Sequence, residues 1–453
     1  MLIRFVVQNV YSFSESKEFN MLARPKIRTP EGHKYSLKGV DLLKLSAIYG
    51  ANAAGKSNLV KALGLLQSLA IGEISSSKIY DVRFKFDQST LAKQVLAVEF
   101  MQEETPYYYG VEIVHGEIYT EELYRSGLGK SSDILLFERK KMEDGMTQLT
   151  FSDSFEKDAK SQLLKSILIE EFLEKSKTIL PWLAKRDNQY LSEVKTALNW
   201  FEKSLQIITP DSKPTALALR LDSDRSFKSF AHDVLCAYSL GISKLDVQKR
   251  SIEELIGENN EEAFAAIREK FADKEKGLIA LRSQTGDELI VVKEDDKLVV
   301  KYMKITQSDN AGHEVEFNLD ELSDGTIRLL DFMPAFRDVV LKRKVYVVDE
   351  LERSMHPSLA KELVAKFSHD LKTCGQLIFT THESNLLDQA IFRQDEIWFT
   401  EKSPLGNTDL YSLSDFKEHH TIDIRKGYLN GRYGGVPFLA NLKDLNWHAY
   451  DTH

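Results

Sequence analysis

Short apolar runs and longer amphipathic stretches divide this chain into segments of different character. LIRFVVQ at the start, then LSAIY, QVLAVEF, VYVV and QLIFT, have strand length and strand composition. SNLVKALGLLQSL instead spaces Leu59, Leu63, Leu66 and Leu69 by three and four and predicts a helix directly after LSAIY. Asp144-Gly145 marks the turn of a hairpin. From 156 to 275 the pattern is helical, through SQLLKSILIEEFLEKS, YLSEVKTALNWFEKSL, SFKSFAHDVLCAYSL and EEAFAAIREKFADKEKG. DELIVVK and KLVVKYMK then flank Glu294-Asp295-Asp296 as a second hairpin. The expected organisation is therefore a first α/β segment over 1–155, a helical insertion over 156–275, a β-hairpin over 276–312 and a second α/β segment over 313–453. No internal repeat or low-complexity linker interrupts it.

Composition narrows the class. The chain has 453 residues, 42% of them hydrophobic and 28% charged, enough for two or three domains with sizeable cores. Its two cysteines, Cys236 and Cys374, lack metal spacing and form no disulfide framework, so a reducing compartment is expected. No apolar run approaches the roughly 18 residues of a membrane helix. The N-terminus lacks a small-residue cleavage site after its apolar strand. The expectation is a cytoplasmic protein with no membrane partner. A net charge of −9 argues against a surface coated throughout by nucleic acid, and Arg24, Lys26, Arg28, Lys34 and Lys38 read as a solvated basic loop.

The chemistry is concentrated in a few motifs. GANAAGKS fits G-x-x-x-x-G-K-[ST] at Gly50, Gly55, Lys56 and Ser57, between a predicted strand and a predicted helix as that motif requires. Such a loop turns backbone N–H groups around phosphates, with a lysine for the β/γ oxygens and a hydroxyl for Mg²⁺. Asn52 within the loop and Asn58 just after it join the candidate nucleotide contacts. VYVVDE ends an apolar strand in two carboxylates, Asp349 for the Mg²⁺ shell and Glu350 to polarise an attacking water. QLIFTTHES delivers His382 to the end of another strand, and ligands of open α/β sheets bind beyond such carboxyl ends. In LSDGT, Ser323 is a natural helix N-cap and Gly325 permits close backbone approach.

Together these motifs resemble the ABC-type ATPases of the SMC, RecF and overcoming-lysogenization-defect group, and more closely the RloA/AbiLi-type ATPases of bacterial abortive-infection loci. The opening LIRFVVQNVYSFSE, the hairpins YYYGVEI and EIYTEELY, and DELERSMHPSLA, TTHESNLLD, DEIWFTEK, LYSLSDF and YLNGRYGGVPFL carry the likeness. It implies an α/β, two-lobe ABC-type P-loop ATPase head with a helical insertion between its halves. Lobe one would hold the phosphate loop, and lobe two the signature, the acidic pair and the switch histidine. ATP and Mg²⁺ are the implied cofactors. Lys56 and Ser57 would contact nucleotide and metal, Asp349 the metal shell, Glu350 would be the general base and His382 the γ-phosphate switch. Ser323 and Gly325 would touch the γ-phosphate bound by the opposite subunit, Asn9 and Phe13, with Ser12, would lie near base or ribose, and Ser354, Met355 and His356 would cross the dimer interface. The signature carries Asp324 and Thr326 where transporters have Gly and Gln, and the glutamine that couples nucleotide to lobe motion in many relatives has no counterpart.

The insertion is too short for a long arm. At about 1.5 Å per residue its longest helices reach about 35 Å, and sustained heptads are missing. No second acidic cluster follows His382, so a nuclease is expected on a separate protein. The resulting expectation is an ATP-hydrolysing switch and sensor of anti-phage defence, a homodimer or higher even-numbered oligomer joined through shared ATP sites. It would control a separately encoded, nuclease-like effector, with a nucleic acid or phage protein as trigger. The alternative is a RecF/SMC-like DNA-binding repair ATPase, distinguished by positive charge along one face of the dimer.

Overall fold

The structure, a computed structural model, describes residues 1–86, 93–212, 217–237, 241–252, 254, 278–282, 288–294, 297–309, 311–416 and 423–435. Its contacts divide the chain into two compact units, one of Met1–Thr209, Lys342–Leu351 and Leu363–His453, the other of Pro210–Leu341 and Glu352–Glu362.

The first unit is built on two sheets. A seven-stranded antiparallel sheet runs in the order Thr147–Phe151, Ile134–Lys141, Glu117–Arg125, Thr105–Val114, Gln94–Gln102, Leu2–Gln8, Lys17–Asn20. A six-stranded sheet runs Leu205–Ile208, Val345–Val348, Gln376–Thr380, Leu45–Gly50, Ile397–Lys402, Thr408–Ser412. Neighbours in this second sheet are parallel except for the last pair. Its central strands are largely apolar because both faces are covered, and Leu45–Gly50, Val345–Val348 and Gln376–Thr380 are buried at every position, Ser46, Gln376 and Thr380 included.

The helix Lys56–Ala70 packs Leu59, Leu63, Leu66 and Leu69 into a core that also receives Phe5, Val98 and Phe100 from the antiparallel sheet and Ile48, Val347 and Ile378 from the parallel one. Trp200 stacks on Phe100 in the same core, their ring centroids 4.3 Å apart. The predicted helices of this region form as Ala159–Ile167 and Ser192–Asn199, each continued by a π-helical turn, Leu168–Phe172 and Trp200–Ser204.

The second unit carries an antiparallel sheet of Ile242–Ser251, Lys297–Ser308, Glu288–Glu294 and Leu278–Arg282, with Glu314–Phe317 added on Lys297–Ser308. Helices Leu217–Ser223, Arg225–Ala237 and Asp324–Leu341 belong to the same unit. Lys301, 2% exposed, bridges Asp222 at 2.6 Å and Glu294, so this buried cation has two carboxylate partners.

The predicted hairpins are both present. The boundaries at 155/156, 275/276 and 312/313 are not where the chain divides. Residues 156–208 belong to the first unit, and the block expected to be helical contains two strands. Leu205–Ile208 completes the parallel sheet beside Val345–Val348, and Ile242–Ser251 forms part of the second unit's sheet. The hairpin strands Glu288–Glu294 and Lys297–Ser308 lie inside that sheet, and the signature belongs to the same unit. EEAFAAIREKFADKEKG falls outside the described residues.

One side chain joins the two sheets of the first unit. Gln376, fully buried, accepts from Leu2 N at 2.6 Å and donates to Leu2 O at 3.1 Å and Leu43 O at 2.9 Å. Gln376→Leu removes all three partners at once and should cost about 3 kcal/mol, since buried backbone groups then lose their bonds. An unchanged urea midpoint would contradict that role.

Candidate functional site

Parallel strands place their carboxyl ends on one edge of a sheet, and three of them lead into the residues singled out by the motifs. Leu45–Gly50 leads into the loop Ala51–Gly55 and the helix that begins at Lys56. The turn uses left-handed backbone at Ala53 (φ 63°) and Gly55 (φ 108°). At Gly55 a methyl group would stand 2.2 Å from Thr408 Oγ1, so glycine is required by space as well as by conformation.

Lys56 is 5% exposed and folds back on its own loop, donating to Gly50 O at 2.7 Å and Ala51 O at 3.0 Å, with His382 Nδ1 3.4 Å from its ammonium. Ser57 Oγ donates to Asp349 Oδ1 at 3.0 Å. Thr380 Oγ1 donates to the same oxygen at 2.6 Å and accepts from Glu350 N at 2.8 Å. Asp349 is buried, whereas Glu350 is half-exposed and takes up left-handed backbone at φ 52°. Partial desolvation, and then the charge of Lys56, hold the His382 imidazole below its ordinary value, against the opposing pull of Glu350 and Asp349. This histidine is therefore neutral near pH 7.

Of the predicted residues, Gly50, Asn52, Gly55, Lys56, Ser57, Asn58, Asp349, Glu350 and His382 all belong to the first unit. Asn52 is exposed on the loop, and Asn58 turns its amide to Ser12 Oγ at 2.8 Å. Asn9 and Phe13, expected near a base or ribose, are both buried. Phe13 is fully buried in the core, and Asn9, 2% exposed with φ 52°, accepts from Phe84 N at 3.1 Å. Both shape the turn after the first strand.

Two further supports were not visible as motifs. Thr408 Oγ1 donates to Ala54 O at 2.9 Å and lies 2.7 Å from Ser12 Oγ, and Thr400 Oγ1 donates to Tyr49 O at 3.3 Å. Isolated threonines on a strand carry no spacing signal.

In the second unit Ser323 caps the helix Asp324–Leu341 as expected, accepting from Thr326 N at 3.2 Å. Ser323 and Asp324 are exposed. Gly325 has a reason within its own chain, because a methyl group there would stand 2.6 Å from Ser354 O. The carbonyl that comes this close belongs to a residue at φ 63°. Signature and Ser354 loop are thus packed together before any partner is considered.

A phosphate loop between buried strand and helix and an acidic pair at the tip of another strand of the same parallel sheet are the elements of an α/β P-loop ATPase domain. The family model described as "AAA domain, putative AbiEii toxin, Type IV TA system" matches residues 45–388, and the chain belongs to that family. This agrees with the abortive-infection resemblance and with the α/β fold class expected from the motifs. No curated protein matches. Among solved structures, an SMC head bound to the C-terminal winged-helix domain of ScpA gives 12% identity and a TM-score of 0.42 over 92% of this chain and 99% of that one. The SMC head domain from Thermotoga maritima gives 11% and 0.37 over 91% and 98%. A Pyrococcus furiosus SMC head with an extended coiled coil, bound to the C-terminal domain of ScpA, gives 12% and 0.40 over 92% and 99%. Among the described residues no helix is long and apolar enough to cross a membrane.

The neutral His382 has a direct test. Its NMR titration should show a midpoint below about 6.5, rising when Lys56→Met removes the neighbouring charge. The sign for stability follows, since below that value the unfolded chain binds a proton that the folded site resists, and this histidine destabilises the fold as pH falls. A midpoint indifferent to Lys56 would separate the two side chains electrostatically.

Proposed function

We propose that this protein is the ATP-binding and hydrolysing switch and sensor subunit of a cytoplasmic anti-phage, abortive-infection system. It dimerises around ATP and controls a separately encoded toxic effector, a nuclease by preference. The observation that carries the reading is the shared Asp349 oxygen: it ties Ser57 of the phosphate loop to Thr380, which holds Glu350 two residues before His382. The family assignment supports the abortive-infection setting.

The donor set fits the implied cofactors. Ser57 and Asp349 present hard oxygens side by side, and among the described residues no group of three or more His, Cys, Asp or Glu side chains could cage a metal alone. That suits Mg²⁺, which keeps waters and substrate phosphate oxygens in its shell. When bound, Mg²⁺ would neutralise charge between the β- and γ-phosphates.

The chain's own groups would do the rest. Lys56 would exchange two neutral carbonyl partners for phosphate oxygens, which accept stronger, charge-assisted bonds. Glu350, beside Asp349 and partly open to solvent, would take the proton of an attacking water. Neutral His382 would offer a hydrogen bond without adding charge. Ser323 and Gly325 of one copy would meet the γ-phosphate held by the other, so that hydrolysis releases the dimer.

Two substitutions separate binding from turnover. Lys56→Ala should weaken ATP binding by roughly tenfold to a hundredfold, the worth of its charge-assisted bonds; retained affinity would remove the lysine from the site. Glu350→Gln should bind ATP, hydrolyse it at least about a hundredfold more slowly and accumulate as a dimer on sizing with Mg-ATP. A monomeric elution profile for that variant would sink the shared-site reading. An ATP-dependent, salt-sensitive shift of duplex DNA would instead favour a DNA-binding repair ATPase.

A further inference from the structure

The phosphate loop has a second neighbour from the far end of the chain, in the segment Gly427–Gly435 that the site described so far does not use. We infer that Gly435 is a positioning residue for the phosphate loop, holding the Gly50 backbone in place from behind while Lys56 changes partners. This inference rests on the proposal that ATP binds at Gly50–Ser57.

A methyl group on Gly435 would stand 3.4 Å from Gly50 Cα and 3.4 Å from Thr400 O. Gly50 pairs with Thr400 across the parallel strands, and a methyl group on Gly50 would meet Thr400 Oγ1 at 2.4 Å. Three backbones therefore converge where the loop starts: a methyl group on Gly50 would clash, one on Gly435 would just touch, and anything larger on Gly435 would press on Gly50. Gly50 is also the residue whose carbonyl accepts from Lys56 at 2.7 Å. Once that ammonium moves to a phosphate, packing from Gly435 and Thr400 is what keeps the Gly50 peptide from turning.

The segment is anchored well enough to act as a stop. Phe399 is stacked between Tyr428 and Tyr433, with centroids 5.7 Å away on each side, and Tyr428 meets Tyr49, the residue before Gly50, edge-on at 5.8 Å. Tyr433 is fully buried, and a methyl group on Gly427 would strike its ring at 2.7 Å. Tyr411 Oη donates to Tyr433 O at 2.8 Å and Tyr428 Oη donates to Gly435 O at 3.2 Å. Left-handed backbone at Gly431 (φ 74°), Gly434 (φ 65°) and Gly435 (φ 66°) turns the chain towards the loop.

Gly431 supplies the control. It has the same left-handed conformation, but nothing lies within 4 Å of a methyl group placed there. Gly431→Val and Gly435→Val thus carry similar backbone strain, and only the second adds bulk against Gly50. Fluorescent ATP-analogue titrations of the full chain with Mg²⁺ should show Gly435→Val weakened by about tenfold or more, and Gly431→Val within about threefold of the parent. Gly435→Ala should fall between them, with KM for ATP raised and kcat at saturation largely kept. The thermal midpoint of Gly435→Val should lie below that of Gly431→Val, because only it adds bulk against packed backbone, so binding is compared at a temperature well below both midpoints. If the two valine variants bind the analogue alike, whether well or badly, Gly435 has no positioning role. A parent protein that fails to bind the analogue would overturn the ATP-site proposal itself, and this inference with it.

Discussion

A single buried carboxylate oxygen, Asp349 Oδ1, organises the candidate site. It accepts from Ser57 at 3.0 Å and from Thr380 at 2.6 Å, so one atom ties the ends of two neighbouring parallel strands to the first turn of the helix that follows the phosphate loop. An ionised carboxylate in this position costs desolvation energy unless hydroxyls or a cation meet it. The two hydroxyls meet that need in part. Thr380 then passes the constraint on, because its hydroxyl also accepts from Glu350 N and fixes the left-handed turn that carries the second carboxylate.

This arrangement depends on strands that cannot slide. Parallel pairing of Leu45–Gly50 with both Gln376–Thr380 and Ile397–Lys402 sets the register of the loop, and the buried carboxamide of Gln376 links the other end of its strand to Leu2 and Leu43. Slippage by one residue would turn fully buried apolar side chains and the Gln376 partners out of place together. The site is thus held at one end by polar contacts at the strand tips and at the other by a buried amide between sheets. Between them lies a continuous apolar core.

The legible parts of this protein were those in which chemistry imposes spacing. A phosphate loop needs its glycines, lysine and hydroxyl at set intervals, and an acidic pair after four apolar residues has few other readings. Leu205–Ile208 was hidden because four residues after an amphipathic helix show no period of their own, and its place is decided by pairing with Val345–Val348, about 140 residues away. Ile242–Ser251 was hidden for a different reason: Lys249 breaks the alternation that Lys244, Asp246, Gln248 and Arg250 set up around Leu245 and Val247, and a long pairing with Lys297–Ser308 compensates. Asn9 and Phe13 were read as ligand-facing through resemblance, which does not report burial. Thr380, Thr400 and Thr408 were invisible because a lone hydroxyl acquires a role only from what folding brings beside it.

The loop itself shows why so much of its support comes from elsewhere. The two carbonyls set only dipoles against the Lys56 ammonium, whereas phosphate oxygens add full opposite charge, so the ammonium has a reason to leave. A loop stabilised mainly by Lys56 would loosen at the moment a ligand arrived. Here the remaining restraints do not involve that lysine. Thr408 holds Ala54 O, Asn58 and Thr408 both engage Ser12, and Thr400 holds Tyr49 O. The left-handed residues Ala53 and Gly55 are therefore kept in place by groups that are indifferent to phosphate. Lys56 can then move between carbonyls and phosphates while the backbone around it stays in place, which is the property a nucleotide-operated switch requires of its fixed side.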